Sequence, residues 1–134
     1  MPAGYSGTPL VRKLGFKTGL SVWAPGLPES VREEIEAVAA PEFVARPHKG
    51  LAAAHLFHTA AAALEADLAR LRPLIAPSGM VWVSWPKKAS RVATDITEDV
   101  IRAAALPMGY IDVKVCAVDA VWSGLKLVIR KELR

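Results

Sequence analysis

The chain has 134 residues, of which 52% are apolar and 22% are charged, so its composition excludes an intrinsically disordered protein. This length suits one domain, residues 1–134, with a hydrophobic core of its own. The 17 lysines and arginines outnumber the 13 acidic residues, but a net charge of +4 is too mild and too widely spread for a dedicated nucleic-acid-binding domain. The single cysteine, Cys116, excludes an internal disulfide and a zinc site built from cysteines.

No apolar stretch of the sequence points to a membrane. The segment Met1–Thr8 lacks the apolar run of a secretory signal. The longest apolar stretch, Leu51–Leu64, is interrupted by two histidines and is shorter than the roughly 20 residues that cross a bilayer. We therefore expect a soluble, cytoplasmic protein with no membrane partner, and a reducing compartment also suits a lone thiol.

The first residues predict a turn and a short helix. Pro9 suits the first position of a helix, and Gly15 is a suitable residue to end it. We expect this segment, residues 1–15, to pack on the rest of the domain. The apolar run Leu20–Ala24 lies between a glycine and a Pro-Gly turn, and it predicts a strand.

A second helix follows this strand. Ser30 and Glu33 have the spacing of a capping box, and Pro41 ends the helical pattern. Glu42–Ala45 predicts a short second strand. The apolar stripe of the helix has helical spacing and consists of Val31, Ile35 and Val38.

The middle of the chain predicts a strand, a helix and another strand. Ala53–Phe57 is apolar without alternation, which is typical of a strand buried on both faces. Thr59–Leu71 has helical periodicity, and Pro77–Gly79 predicts a turn. Met80–Ser84 is a second apolar strand, and Pro86–Thr94 is polar and predicts a loop.

The C-terminal third predicts a helix and a hairpin. Asp95 or Thr97 caps the helix, and Gly109 ends it. Its buried face is expected to comprise Val100, Ile101, Ala104 and Ala105. Two alternating strands and the turn between them then form a hairpin, which comprises Ile111–Ala117, Asp119–Gly124 and Leu125–Arg130.

This order of elements predicts an α/β fold, a Rossmann-like three-layer sandwich with a mostly parallel sheet that ends in an antiparallel C-terminal hairpin. It resembles a trimmed S-adenosylmethionine-dependent methyltransferase, and the passage Leu74–Gly79 looks like the segment that precedes the next strand in such enzymes. The resemblance implies a cofactor turn with several glycines after the first strand. Here Ala24–Pro28 contains one glycine and two prolines, and Glu42 precedes the second strand instead of ending it.

Motifs along nearly the whole chain resemble a more specific family. They are Ala3–Leu10, Lys13–Gly15, Trp85–Ser90 with Thr94 and Asp95, and Lys114–Asp119 with Trp122–Leu125. These segments are similar to the bacterial domain-of-unknown-function family 3052. The resemblance implies a small bacterial cytoplasmic protein and implies no particular activity or cofactor.

The main candidate site follows the strand Met80–Ser84. Ligands of open α/β sheets bind outside the carboxyl ends of the strands. Two ammonium groups and nearby polar side chains close to a helix N-terminus predict an anion site, formed by Lys87, Lys88, Ser90, Thr94 and Asp95. The alternative is a solvated basic loop in which Asp95 pairs with Lys88 and caps the helix.

A secondary set of candidates lies in and near the C-terminal hairpin: Lys114, Asp119, Trp122 and Ser123. Cys116 would need a lowered pKa to act as a nucleophile, whereas a cysteine within a strand is usually a small buried apolar group. Asp119 and Ser123 are expected to make turn hydrogen bonds, and Trp122 is expected to be a packing anchor. We therefore assign no catalytic residue.

Two hypotheses on function follow. The first is a non-catalytic binding or regulatory domain for a small anionic ligand, and the alternative is a minimal or degenerate S-adenosylmethionine-dependent enzyme. His55 and His58 would point to opposite faces of a strand, so no metal site is expected. A homodimer through an edge strand is compatible with the pattern, and nucleic-acid binding is not favoured.

Overall fold

The computed structural model describes residues 7–134, and in that range six strands form a single mixed sheet. The strands are β1 (Ser21–Trp23), β2 (Glu42–Val44), β3 (Leu51–Phe57), β4 (Ile75–Pro86), β5 (Tyr110–Ala117) and β6 (Trp122–Ile129). The helices are α1 (Leu10–Leu14), α2 (Glu29–Glu36), α3 (Ala61–Leu71) and α4 (Glu98–Ala105). Short 3-10 turns occupy Lys88–Ser90, Leu106–Met108 and Lys131–Leu133.

The sheet has the strand order β2-β1-β3-β4-β6-β5. Strands β1 to β4 are parallel to their neighbours within this group, whereas β6 is antiparallel to both β4 and β5. The predicted fold class is therefore confirmed. The central strand β3 is almost entirely buried, which agrees with its unalternating apolar sequence.

Helices cover both faces of the sheet. On one face, α3 and α4 pack through Leu64, Leu68 and Ile101, and the Tyr110 hydroxyl donates a hydrogen bond to the Leu68 carbonyl. On the other face, α1 and α2 pack on a core whose members include Leu10, Leu14, Val31, Ile35 and Trp82. Within residues 7–134, no helix is both long enough and apolar enough to cross a bilayer.

The first helix is attached to the sheet by an indole group. Trp82, fully buried in β4, donates from Nε1 to the Leu14 carbonyl at 2.8 Å. Gly15 then ends α1 in the left-handed conformation, at a φ of 79°, as expected for a C-terminal glycine. The first six residues of the predicted N-terminal turn lie outside the described residues.

Several local predictions were wrong in the N-terminal two thirds. Helix α2 begins at Glu29 after Pro28 and has no side-chain cap, so Ser30 and Glu33 form no capping box. Val38 lies beyond the helix and is 49% exposed. The predicted turn at Pro77–Gly79 is part of β4, where the register with β3 shifts. Gly79 permits this close pairing, because a Cβ there would lie 2.9 Å from the Ala52 carbonyl oxygen.

The alternation predicted for β5 does not bury its apolar residues. Ile111, Val113 and Val115 are 39%, 54% and 52% exposed. Strand β5 is an edge strand, and its register with β6 shifts between Asp112 and Lys114, so the side-chain alternation changes at that point.

Substitution of Trp82 by Phe should destabilise the protein by about 2 kcal/mol, because it removes the hydrogen bond to Leu14 and leaves a small cavity. Urea denaturation followed by circular dichroism measures this loss. Trp85→Phe is the matched control, since Trp85 is only partly buried and has no such bond. Equal losses in the two variants would contradict a specific role for the Trp82 indole.

Candidate functional site

Three polar segments meet at the carboxyl edge of the sheet. Residues 87–97, between β4 and α4, form the β4 connector. This connector approaches the end of β3, where the Thr94 hydroxyl donates to the Thr59 carbonyl at 2.7 Å. The turn between β1 and α2, Ala24–Pro28, approaches the same strand end, because a Cβ on Gly26 would lie 3.3 Å from the Phe57 carbonyl oxygen. The tip of the C-terminal hairpin joins them through a bond from the Lys87 amide to the Val121 carbonyl.

A cavity of about 390 Å³ opens between the β4 connector and the first turns of α4. Among the predicted anion-site residues, Lys87, Lys88 and Thr94 line it. Trp85 and Ile96 contribute apolar surface, and the opposite wall comes from α4. The volume is in the range that small ligands occupy.

The other two predicted residues have local structural partners. The Ser90 hydroxyl donates to the Lys87 carbonyl at 2.6 Å and accepts from the Val92 amide. The Asp95 carboxylate accepts from the Ala61 amide at 2.8 Å, and it therefore caps α3. Within residues 7–134, Asp95 forms no ion pair with Lys88.

Helix α4 is capped by Thr97, one of the two residues that the sequence predicted for this position. The Thr97 hydroxyl accepts from the Val100 amide at 3.2 Å. Capping of α4 by Asp95 was thus the wrong one of the two alternatives, because the chain places that carboxylate beside α3 instead.

Charge is distributed unequally over the two walls of the cavity. On the α4 side, the Arg102 guanidinium contacts three carboxylates, at 3.0 to 3.2 Å: those of Asp112, Glu98 and Asp99. The hydrogen bond that Arg102 donates to Asp112 is the largest cause that raises the pKa of Arg102. On the connector side, neither lysine pairs with a carboxylate in the part of the chain that the structure describes. Unmatched positive charge is therefore found on the connector side.

The hairpin candidates do not join this cavity. The Asp119 carboxylate accepts from the amides of Val121 and Trp122, at 2.8 and 2.7 Å, and closes the turn. Trp122 and Ser123 lie in β6 and not in the turn, and Trp122 packs edge-on against Phe57. The Lys114 ammonium donates to the Lys13 carbonyl at 3.0 Å, on the α1 side of the sheet.

Cys116 is not activated as a nucleophile. It is partly buried, and burial raises the pKa of its thiol more than Lys13 and Lys114 lower it. The thiol is the protonated, weakly nucleophilic form. This agrees with the interpretation of Cys116 as a small apolar group.

A histidine–carboxylate pair that the sequence did not predict lies at the carboxyl edge. His58 follows β3 directly, and its Nε2 lies 2.7 Å from an oxygen of Asp67 on α3. Both side chains are about four-fifths buried. A separation of nine residues across a strand–helix unit has no signature in the sequence, so the pair becomes visible only once α3 packs on the sheet.

A second histidine pair lies in the core under α1 and α2. His55 Nε2 lies 2.7 Å from the Ser84 hydroxyl, and both residues are fully buried. His55 stacks on Phe57, and within the described residues its Nδ1 has no hydrogen-bond partner. Burial lowers the pKa of His55 to about 3, so the imidazole is neutral. The described residues contain no group of three or more His, Cys, Asp or Glu side chains that could hold a metal ion.

No protein-family model matches the chain, and no curated protein matches its sequence. Solved structures do match it. A SAM-dependent methyltransferase from Aquifex aeolicus is 14% identical with a TM-score of 0.59, over 90% of this chain and 87% of that chain. The magnesium protoporphyrin IX methyltransferase of Synechocystis PCC 6803, solved with bound SAM, is 13% identical with a TM-score of 0.57, over 90% and 74% of the two chains.

A ribosomal protein L11 methylase from Lactobacillus delbrueckii subsp. bulgaricus matches with a TM-score of 0.60 at 8% identity, again over 90% of this chain and 74% of that chain. The fold is therefore that of the methyltransferase-like Rossmann proteins. The resemblance to family 3052 stays a prediction.

Acid should destabilise the protein through His55. Its pKa is lower in the folded chain than the ordinary 6.5, so between these two values the unfolded state binds more protons and stability falls as the pH falls. From about pH 7 to about pH 5 this histidine should remove about 2 kcal/mol of stability.

Urea denaturation at both pH values measures that loss. His55→Gln should flatten the dependence by this amount, and His48→Gln, in an exposed loop, should leave it unchanged. An undiminished pH dependence in His55→Gln would show that another group is responsible.

The contact between Asp95 and Ala61 predicts a structural role for the carboxylate. Asp95→Ala should lower the free energy of unfolding by about 1 kcal/mol, since it removes the cap of α3. Thermal denaturation tests this, with Lys88→Ala as the exposed control in the same connector. If both substitutions are neutral, the cap does not stabilise α3.

Proposed function

We propose that this chain is a degenerate methyltransferase-like protein that binds a small anionic molecule at the carboxyl edge of its sheet. The observation that carries the proposal is the cavity beside the carboxyl end of β4, and a reversal of strand order between β1 and β3 lies at the same edge of the sheet. From β1 the chain crosses to β2 on one side, and from β3 it crosses to β4 on the other. Such a reversal leaves a crevice outside the carboxyl ends, which is where open α/β sheets bind ligands.

The residues at this crevice do not fit S-adenosylmethionine in the manner of the methyltransferase family. Pro25 and Pro28 have no amide hydrogen to donate, and the space beside Gly26 is filled by the backbone of Phe57. After β2 come Ala45 and Arg46, so no carboxylate stands there to accept ribose hydroxyls. The proposal therefore places the ligand in the neighbouring cavity.

That cavity supports an anion on one side. Lys87 and Lys88 carry ammonium groups without a carboxylate partner among the described residues. The Thr94 hydroxyl and the Asp95 amide both donate to the carbonyl of Thr59, just after β3, and hold the connector there. Glu98 and Asp99 are matched to Arg102, so they repel an approaching anion less than free carboxylates would. A phosphate or carboxylate group of the ligand would contact the lysines, and its apolar part would contact Trp85 and Ile96.

The second candidate function is methyl transfer from S-adenosylmethionine by a minimal enzyme. The likeness of fold and the His58–Asp67 pair favour it. An oxygen of Asp67 lies 2.7 Å from His58 Nε2, and this contact orients the ring. A base so placed beside the crevice would accept a proton from an acceptor substrate.

We also propose that the chain forms one domain over residues 1–134 and that it is a small bacterial cytoplasmic protein. The motifs that resemble family 3052 support this, and α1 shares a core with the sheet.

Substitution of both connector lysines should weaken anion binding. We expect phosphate, pyrophosphate and citrate to raise the Tm of the wild-type protein, and Lys87→Gln/Lys88→Gln should weaken binding at least about tenfold, because it removes both unmatched charges. Arg12→Gln/Lys17→Gln, with the same loss of charge on the α1 side, is the control. An unchanged response in the lysine variant would contradict the site.

Calorimetry with S-adenosylmethionine separates the two candidates. The degenerate cofactor turn predicts no binding heat at concentrations of about 1 mM. Saturable heat that is lost in Gly26→Val would instead support the second candidate.

A further inference from the structure

A second cavity, of about 360 Å³, lies at the amino end of the sheet, opposite the edge described above. It is bounded by the starts of β3 and β4 and by the end of β6. Ile75 and Ile129 are almost fully buried and form part of an apolar floor, while Leu133 is half exposed at the rim. Lys49 and Arg72 supply the cationic part of the lining.

The cations here are held by backbone carbonyl oxygens. Arg72 donates from Nε to the Met108 carbonyl at 2.8 Å, and the Lys49 ammonium donates to the Pro73 carbonyl at 3.0 Å. Arg130, one residue beyond β6, donates from Nη2 to the Leu106 carbonyl at 2.6 Å. A carbonyl oxygen orients a cation without neutralising its charge.

Two arginines elsewhere in the protein are instead paired with carboxylates. Arg102 contacts three carboxylates, and Arg32 pairs with Glu36. In contrast, none of Lys49, Arg72 and Arg130 pairs with a carboxylate within residues 7–134, and the buried Nε of Arg130 has no hydrogen-bond partner there.

The cations also lie close to one another. A Cβ on Gly109 would lie 3.1 Å from Arg72 Nη2 and 2.8 Å from Leu133, and the Arg130 amide donates to the Gly109 carbonyl at 2.9 Å. Glycine at this position therefore leaves room for the guanidinium of Arg72 beside the 3-10 turn that carries Leu133. The terminal nitrogens of Arg72 make no hydrogen bond in the described part of the chain, so they can contact a ligand.

We propose that this cavity is a second ligand site, specific for a small organic anion with an apolar body, such as an aryl or alkyl phosphate or carboxylate. The anionic group contacts Arg72 and Lys49, and the apolar body covers Ile75, Ile129 and Leu133. Pre-oriented donors without carboxylate competitors suit an anion, since no ion pair must be broken on binding. The site is independent of the one at the carboxyl edge.

Phenyl phosphate is the probe. Phenol, which has only the apolar ring, and inorganic phosphate, which has only the anionic group, are the comparison compounds. We expect phenyl phosphate to bind more tightly than either comparison and to shift amide resonances of Gly50, Ile75 and Ile129 in NMR titrations. Lys49→Gln and Leu133→Asp should each weaken binding about tenfold, the first by removing a cation and the second by placing a carboxylate at the rim. Leu133 takes no part in the side-chain hydrogen bonds of the cations, and an unchanged circular dichroism spectrum of Leu133→Asp shows that a loss of binding does not reflect misfolding.

Arg12→Gln/Lys17→Gln, which removes two charges on the α1 side, is the control and should leave the shifts of Gly50, Ile75 and Ile129 unchanged. If Lys87→Gln/Lys88→Gln abolishes the response at these amides while Lys49→Gln does not, the anion binds at the carboxyl edge, which overturns this inference and supports the proposed function. Equal binding of phenyl phosphate by wild type and Leu133→Asp also overturns it. So does salt-dependent affinity for a single-stranded RNA without a response to phenyl phosphate.

Discussion

Parallel pairing of β3 with β1 on one side and with β4 on the other is the constraint on which the structure depends. Strand β3 is buried on both faces, and its neighbours run in the same direction. This register brings three carboxyl ends to one edge of the sheet and the amino ends of β3 and β4 to the opposite edge. Both cavities follow from this pairing, because one lies at the carboxyl end of β4 and the other at its amino end.

The turn after β1 lies outside the packed elements that stabilise the fold. Apolar helices and strands supply the stability of such a fold, and the loops at its edge add little to it. In this chain, Gly26 lies against the end of β3 and the proline-rich turn donates fewer amide hydrogens. The chain thus has the fold of the solved methyltransferases that it resembles, with two prolines in the turn after β1.

The two edges differ in how they partner their cations. Carboxylates surround Arg102 at the carboxyl edge, whereas Lys87 and Lys88 there have no carboxylate partner among the described residues. At the amino edge, backbone carbonyls hold Arg72 and Arg130 and leave their charge unmatched. A modest net charge therefore conceals two local concentrations of positive charge, which composition alone does not reveal.

Local sequence patterns were sufficient to predict most elements, because helical and strand periodicity report which residues face a core. The unalternating run of β3 and the glycine after α1 are examples. The sequence patterns also predicted that Lys87 and Lys88 lie at the carboxyl edge of the sheet, because parallel strands end at the same edge. The alternation in β5 misled, because Ile111, Val113 and Val115 stay exposed in this edge strand and its register with β6 shifts between Asp112 and Lys114.

Contacts between distant residues required the folded chain. Asp95 caps a helix that begins 34 residues earlier, and His58 pairs with Asp67 across a strand–helix unit. Lys49 and Arg72 share a cavity with Leu133, far along the sequence. Local periodicity fixes which face of an element is apolar, whereas partners of this kind depend on how the elements pack, and that is a property of the assembled sheet and helices.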